Sequence, residues 1–394
     1  MTRRTADVVV VGGGLVGCAL ARALTRRRLS VVVLERGHTG REASAAAAGF
    51  LSPQADFAVD GPLVRLGMAS RDLYPRWARA VRRESGIDPR WRRHGMLWAA
   101  VSVAEERALA ARAVWQRRCG WRVEHVSRRR ARLLVPGLGP AVRSAVFFPD
   151  DASIDNERLA VAAALAARRA GAAIVEGCAV RRVLVRAGRT VGVETEQGTV
   201  AAPVVVNAAG AWAAGVGVPA GTRPPAVVPV RGQMVVLRGL AGVVDRPLHG
   251  RRGYFAPRAD GRVLVGSTYE HAGFDKRTTA RAVAALLVMA ERLVPASASA
   301  AVESVYAGLR PGTRDGLPIL GAAPGVPGLW YACGLYRNGI LLAPVVAEAL
   351  ADLVTTGTTS WAIEAFAPAR RTRPLTRRTR PDAARARSRG PRRW

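Results

Sequence analysis

Hydrophobic and polar positions along the chain alternate between two patterns. Val8 to Val11 are four consecutive β-branched residues with no alternation, as in a parallel strand covered on both faces. Apolar residues at helical spacing follow from Leu15 to about Arg28, and a second buried run, Ser30 to Glu35, comes next. Val204-Val-Val is a third such strand, running into small residues, Asn207-Ala-Ala-Gly-Ala-Trp212. An amphipathic, alanine-rich helix is predicted from Asn156 to about Ala170 and is stopped by Gly171. Ala173 to Val180, Val183 to Val185 and Val191 to Thr195 read as short strands with turns at Gly188 and Gly198. A different texture, shorter and more mixed, marks Gly95–Ala100, Val230–Leu237, Gly253–Pro257 and Arg262–Thr268, which suggest one antiparallel sheet, with a surface helix over Arg281–Leu293. A last helix opens after Gly334-Leu-Tyr-Arg-Asn-Gly339. No internal repeat is visible.

The expected fold is α/β: a discontinuous, Rossmann-like nucleotide domain plus an α+β domain carrying the antiparallel sheet. The first is assigned residues 1–82, 143–220 and 304–366, and the second 83–142 and 221–303. Residues 367–394, rich in Arg and Pro and nearly devoid of apolar side chains, read as a disordered basic tail. The glycine-rich beginning and end of the first domain suggest one long cofactor, held at its phosphates by one and at its reactive ring by the other. Flavin adenine dinucleotide (FAD) fits that better than a nicotinamide dinucleotide.

The first turn supplies the reason. Gly12 permits the tight turn, Gly14 lets a phosphate approach the backbone, and Gly17 lets the helix lie close on the strand. The helix beginning at Leu15 and Val16 points its amides at the pyrophosphate. Glu35 ends the second strand 18 residues after Gly17, placed to accept the ribose hydroxyls. The small residues around Ser44, Ala48 and Gly49 let the backbone slide along the pyrophosphate and ribityl chain, and Ala209, Gly210 and Trp212 lie at the carboxyl edge of the sheet, where such folds bind ligands.

Composition changes this picture little. At 394 residues, with 49% apolar residues, the chain can bury a large core. The formal charge of +31 invites nucleic acid or acidic membrane, but Lys276 is the only lysine among 60 basic residues and the arginines are scattered over every element. A codon bias toward arginine accounts for that, and no nucleic-acid recognition motif accompanies the charge. No uncharged run of 18 apolar residues is present, so no membrane span is expected. Cys18, Cys119, Cys178 and Cys333 are isolated, show neither metal nor disulfide spacing, and read as set in apolar surroundings; a cytoplasmic location is expected. Arg3-Arg4 with Leu15-Val-Gly-Cys18 imitates a lipoprotein signal, but cleavage there would discard all three loop glycines. His38, His94, His125, His249 and His271 form no triad or metal site and read as structural or surface residues.

Four motifs carry a resemblance: Ala43-Ser44 with Ala48-Gly49, Tyr254-Phe-Ala-Pro-Arg258, Gly308-Leu-Arg-Pro-Gly-Thr313, and Arg337-Asn-Gly-Ile-Leu-Leu-Ala-Pro344. From about residue 5 to 366 the chain resembles the D-amino-acid oxidase superfamily of flavoproteins, and within it the glycine-oxidase branch associated with thiazole assembly in thiamine biosynthesis. The resemblance implies an oxidase of glycine, sarcosine or small D-amino acids. Hydride would leave Cα for flavin N5, the imine would hydrolyse to glyoxylate and ammonia, and O2 would become hydrogen peroxide. It implies that Arg310 clamps the substrate carboxylate, that the Tyr254 hydroxyl meets it too, and that Arg337 lines the same pocket or serves the flavin pyrimidine or Asp315. Tyr336, Arg337, Asn338, Gly339 and Ile340 would face the flavin ring, Arg36 the nucleotide, and the strand near Val180 the adenine.

Tyr306-Ala-Gly-Leu309 offers no attachment cysteine, so noncovalent FAD is expected. Phe50 stands where the family usually has methionine, and Leu335 where it usually has histidine. The partners expected are a small amino acid and O2, with a homo-oligomer possible. Two alternatives stay open: an FAD dehydrogenase delivering electrons to a membrane quinone, and a basic nucleic-acid or membrane-binding protein on a vestigial flavin fold.

Overall fold

The computed structural model describes residues 5–370. Val8–Val11 is fully buried and forms the centre of a six-stranded sheet, because its valines can be covered on both faces. It pairs in parallel with Val31–Leu34 on one side and Val204–Asn207 on the other, with Val8 opposite both Val31 and Val204. Ala173–Val175 extends one edge and Leu329–Cys333 the other, both in parallel, and Ile319–Ala322 closes the far edge antiparallel. Helices Leu15–Thr25, Asn156–Arg169, Pro62–Ser85 and Gly339–Thr356 bury one core against this sheet. A three-stranded antiparallel ribbon, Val180–Arg186, Arg189–Thr195 and Gly198–Ala201, covers the opposite face. The expected single strand Ala173–Val180 is therefore two, one in each sheet, separated by a turn at Gly177 with φ 66°.

The second sheet has eight strands, in the order Ala301–Thr313, Val227–Arg238, Val263–Gly266, Gly253–Pro257, Leu248–Gly250, Met96–Ala100, Ser144–Phe148 and Glu124–Val126. Its pairs are antiparallel with one exception. Leu248–Gly250 runs parallel to Met96–Ala100, since the two come from separate chain segments and are not joined by a hairpin. The helix Ala280–Leu293 is not purely a surface element: its Leu286, Met289, Ala290 and Leu293 are buried in this sheet's own core.

The last helix, Gly339–Thr356, is long and apolar enough to cross a membrane by length and composition alone. It is buried among the helices of the first core, and it contains Glu348 and Asp352, which hold Arg27 at 2.9 and 2.5 Å. Pro344 interrupts its ladder. The missing N–H leaves the Ile340 carbonyl without its helical donor, and the buried Tyr74 hydroxyl donates to that oxygen instead. Ser70 Oγ donates to the next carbonyl, Leu341, at 2.6 Å.

Two expectations at the periphery change. Cys119 is exposed, at the end of the helix Val103–Arg118, because the chain turns into solvent there; Cys18, Cys178 and Cys333 are buried, and all four are free thiols. The tail assignment falls mostly on residues outside those described. At its start, however, Arg370 is fixed: its guanidinium reaches both oxygens of Asp315, at 2.9 and 3.1 Å.

Candidate functional site

A cavity of about 480 Å³ runs from the first glycine turn to the end of the strand Ala301–Thr313, and so joins the two sheets. At one end lie Gly12, Gly14, Leu15, Val16, Glu35, Arg36 and Val180; its middle is walled by Ser44, Ala46–Gly49 and Ala209–Trp212; at the other end are Tyr254, Arg310, Tyr336, Arg337, Gly339 and Ile340. Two expected residues stand outside the wall. Gly17 acts in packing, because a Cβ there would sit 2.0 Å from the Gly12 carbonyl oxygen. Asn338 is buried just before the last helix, where its carbonyl accepts from Leu342 N–H at 2.8 Å.

The glycine turn has the features a diphosphate requires. Gly12 has φ 105°, and a Cβ on it would meet the Ala208 carbonyl oxygen at 2.6 Å. Gly14 is the N-cap of the first helix and provides no capping side chain; Ser44, from the facing loop, accepts from Leu15 N–H at 3.0 Å. The free amide end of a helix, opposite a wall of alanine and glycine, suits an anion approaching backbone to backbone. Glu35 is buried, and its two oxygens accept from Gly13 N–H at 2.7 Å and Gly37 N–H at 2.9 Å. Those bonds orient the carboxylate and leave lone pairs for further donors. These features fit the nucleotide half of FAD.

At the far end, the Arg310 guanidinium lies on Gly232, where a Cβ would come within 2.2–2.4 Å of it. It donates to the Thr268 carbonyl at 3.0 Å and to Ser267 Oγ at 2.6 Å, and sits 4.6 Å from the Tyr269 ring centre. Among the described residues no carboxylate pairs with it. A buried-side guanidinium held only by neutral oxygens keeps its charge available to an anion. Arg337 differs: it pairs with Asp56 at 3.0 Å, and although burial acts to lower its pKa, Tyr269 and Asp56 beside it raise it above its ordinary value. The suggested pairing of Arg337 with Asp315 does not occur, because Arg370 occupies that carboxylate. Tyr254 is half-buried with its ring against Phe50 at 5.0 Å; burial raises its pKa, so it stays a neutral phenol. Behind Phe50 and Tyr254 lies His249, buried, with Nε2 unpartnered; burial first, and Arg337 and Arg112 next, hold its imidazole down to about 3.

The sequence reading passed over several neighbours of this site. Tyr269 lies between Arg310 and Arg337, and Asp56 neutralises the second arginine. Phe274 stacks on Trp212 with ring centres 5.4 Å apart, while the Arg36 guanidinium covers Trp212 at 3.6 Å. Ser267 and Thr268, at the end of a predicted strand, were a usable signal; Asp56 ends a single helical turn, Pro53–Asp56, and Phe274 comes from a loop, and neither had one.

Comparison with known proteins agrees with this geometry. Residues 7–353 match DAO, the FAD-dependent oxidoreductase family. The chain belongs to that family. Among its curated relatives, the glycine oxidase of Pseudomonas aeruginosa is 38% identical over 88% of this chain and 94% of its own length. The glycine oxidase of Geobacillus kaustophilus is 37% identical over 93% and 97%, and the crystal structure of a glycine oxidase from that organism superposes with a TM-score of 0.90, covering 94% of this chain and all of that one. A bifunctional protein ThiO/ThiG of Synechocystis is 36% identical, and this chain spans 54% of its length. The protein is thus an FAD-dependent amino-acid oxidase of the DAO family, with FAD as its cofactor.

Proposed function

We propose that this DAO-family protein oxidises glycine, and with it sarcosine or small D-amino acids, to the imine, which hydrolyses to glyoxylate and ammonia. The observation that carries the reading is the Arg310 guanidinium, free of any carboxylate partner among the described residues and set in the same cavity as the dinucleotide turn. Bound FAD supplies the hydride acceptor, and its reoxidation by O2 yields hydrogen peroxide. Arg310 holds the substrate carboxylate in a planar fork, each charge-assisted bond contributing roughly 1.5–3 kcal/mol. The neutral Tyr254 hydroxyl, which donates to Met234 Sδ at 3.3 Å, turns from that weak acceptor to donate to the same carboxylate. Phe50, Tyr254 and Tyr269 line the cavity beside Arg310, and their rings restrict the substrate to a small Cα substituent.

Glu35 and the first-helix amides take the ribose and the diphosphate, and the backbone after Tyr336 faces the flavin ring. FAD binds noncovalently: burial pushes the Cys333 thiol up to about 12, which keeps it protonated and unreactive. Relatives named glycine oxidase and ThiO/ThiG support glycine as the substrate and a supply role in thiazole assembly. The test is a panel of glycine, sarcosine, D-alanine and larger D-amino acids, followed by oxygen consumption and by turnover with an artificial acceptor. Glycine turnover with stoichiometric peroxide is expected. Turnover with the artificial acceptor alone would overturn the oxidase reading in favour of a dehydrogenase.

A further inference from the structure

We propose that a second cavity, separated from the FAD cavity by the loop 43–49, binds a small oxyanion of the phosphate class carrying two or more charges. It measures about 340 Å³ and shares no lining residue with the first. Its walls bring together four arginines from separate parts of the chain: Arg90 and Arg92 from the loop before Met96–Ala100, and Arg258 and Arg262 from the turn after Gly253–Pro257. The two acids beside them, Asp155 and Asp245, form no ion pair with these arginines among the described residues, although the Asp155 charge acts on Arg258. Asp155 caps the helix Asn156–Arg169 by accepting from Arg158 N–H at 3.1 Å, and Asp245 accepts from Gly242 N–H at 2.9 Å.

Arg262 is neutralised by Asp260 at 2.9 Å and Glu157 at 3.6 Å. Arg90, Arg92 and Arg258 form no ion pair among the described residues. The fork of Arg258 donates only to neutral oxygens, Ala48 O at 3.1 Å and Asn156 Oδ1 at 2.6 Å. Arg90 and Arg92 face the hollow without a carboxylate partner, and at Arg258 burial outweighs the nearby charges of Asp155 and Glu157; an oxyanion between the three relieves their mutual repulsion while matching their planar forks. His94 and Ser153, joined at 2.9 Å on the same wall, add neutral hydrogen-bonding groups. Burial, with Arg246 and Arg92 nearby, keeps the His94 imidazole uncharged at neutral pH.

The site is wired to the first cavity. Arg258 holds the Ala48 carbonyl, and Asn156, its other partner, donates to the Ser44 and Ala45 carbonyls at 2.8 Å each. An anion that draws on Arg258 therefore acts on the loop that walls the FAD.

The probe is pyrophosphate, titrated calorimetrically into the FAD-loaded full-length protein at constant ionic strength. Saturable binding at one site per chain is expected. Arg90→Ala with Arg92→Ala should weaken it at least tenfold, and Arg92→Ala alone, at an exposed position, should weaken it in the same direction if the double variant fails to hold FAD. The Arg-rich residues 371–394 are present in every protein compared, so an anion captured there would bind the variants equally well. Equal affinity in wild type and variants, or no saturable binding to the wild type, would overturn the proposal. Neither result bears on glycine oxidation, which is measured separately.

Discussion

Arg310 depends on a residue with no side chain. Gly232 sits opposite Gly308 on the neighbouring strand and provides the floor on which the guanidinium lies. Gly232→Ala places a methyl group in that space, so the fork must shift while the backbone, at an ordinary φ, need not. The KM for glycine is expected to rise on the order of tenfold or more, since small misplacements of a positioning group carry such costs, with FAD content unchanged. An unaltered KM would show that the fork does not position the substrate. His249 gives a pH test. Its imidazole is held well below its ordinary value, so the unfolded chain binds a proton that the native one refuses between about pH 6.5 and 3. Stability conferred by the native state is therefore lost as pH falls through that window, by up to about 1.4 kcal/mol per pH unit. His249→Phe, which keeps the ring among Phe50, Trp98 and Tyr254, removes this slope. The gap in melting temperature between variant and wild type should widen from pH 6.5 to 4; a constant gap would contradict the assignment. At this scale the place of Arg310 and Tyr254 in the cavity wall could be read from sequence, because each stands inside a local motif. Tyr269 and Asp56 could not, since their importance comes from strands and loops that meet only in three dimensions.

Two elements hold the walls of the cavity in place. The segment after Val263–Gly266 lines the cavity with Ser267, Tyr269 and Phe274 and has contacts on both of its sides. On its own sheet it is tied by Arg231 to Glu270 at 2.6 Å and to Asp275 at 3.0 Å. On the nucleotide side Phe274 stacks on Trp212 and Lys276 meets Glu42 at 3.1 Å. Phe274 is 54% exposed, so removing its ring costs the fold little while loosening the latch. Phe274→Ala is expected to speed FAD release several-fold, followed by recovery of free-flavin fluorescence after dilution; an unchanged rate would rule out the latch. The last helix depends on Tyr74 to repair the break at Pro344. Tyr74→Phe leaves the buried Ile340 carbonyl without a donor and should cost about 1–3 kcal/mol in denaturant unfolding; a loss well below that would mean another group satisfies the carbonyl. Much of this architecture was legible. The unbroken valine runs, the glycine spacing of the first turn and the helical period of the alanine-rich stretch are each carried by consecutive residues. The split of 173–180 between two sheets, and the parallel pair in the second sheet, were not legible, because apolar runs do not specify which neighbour a strand will choose.

Over the whole molecule, the site is a seam: the parallel sheet contributes the dinucleotide turn, and the eight-stranded sheet contributes Arg310 and Tyr254. The charge of +31 does not determine this arrangement. Among the described residues most arginines are exposed, where individual ion pairs contribute little. The seam is what makes cofactor and substrate sites separable by mutation, and an anaerobic glycine titration of wild type and Arg310→Gln, followed by bleaching of the flavin absorbance, tests it most directly. Both proteins should contain one FAD per chain, and the variant should need roughly 10- to 100-fold more glycine for half-bleaching, the loss of one to two charge-assisted bonds. Equal glycine requirements in the two proteins would contradict the assignment of Arg310 to the substrate carboxylate, and with it the reading of this cavity as a single site for cofactor and amino acid.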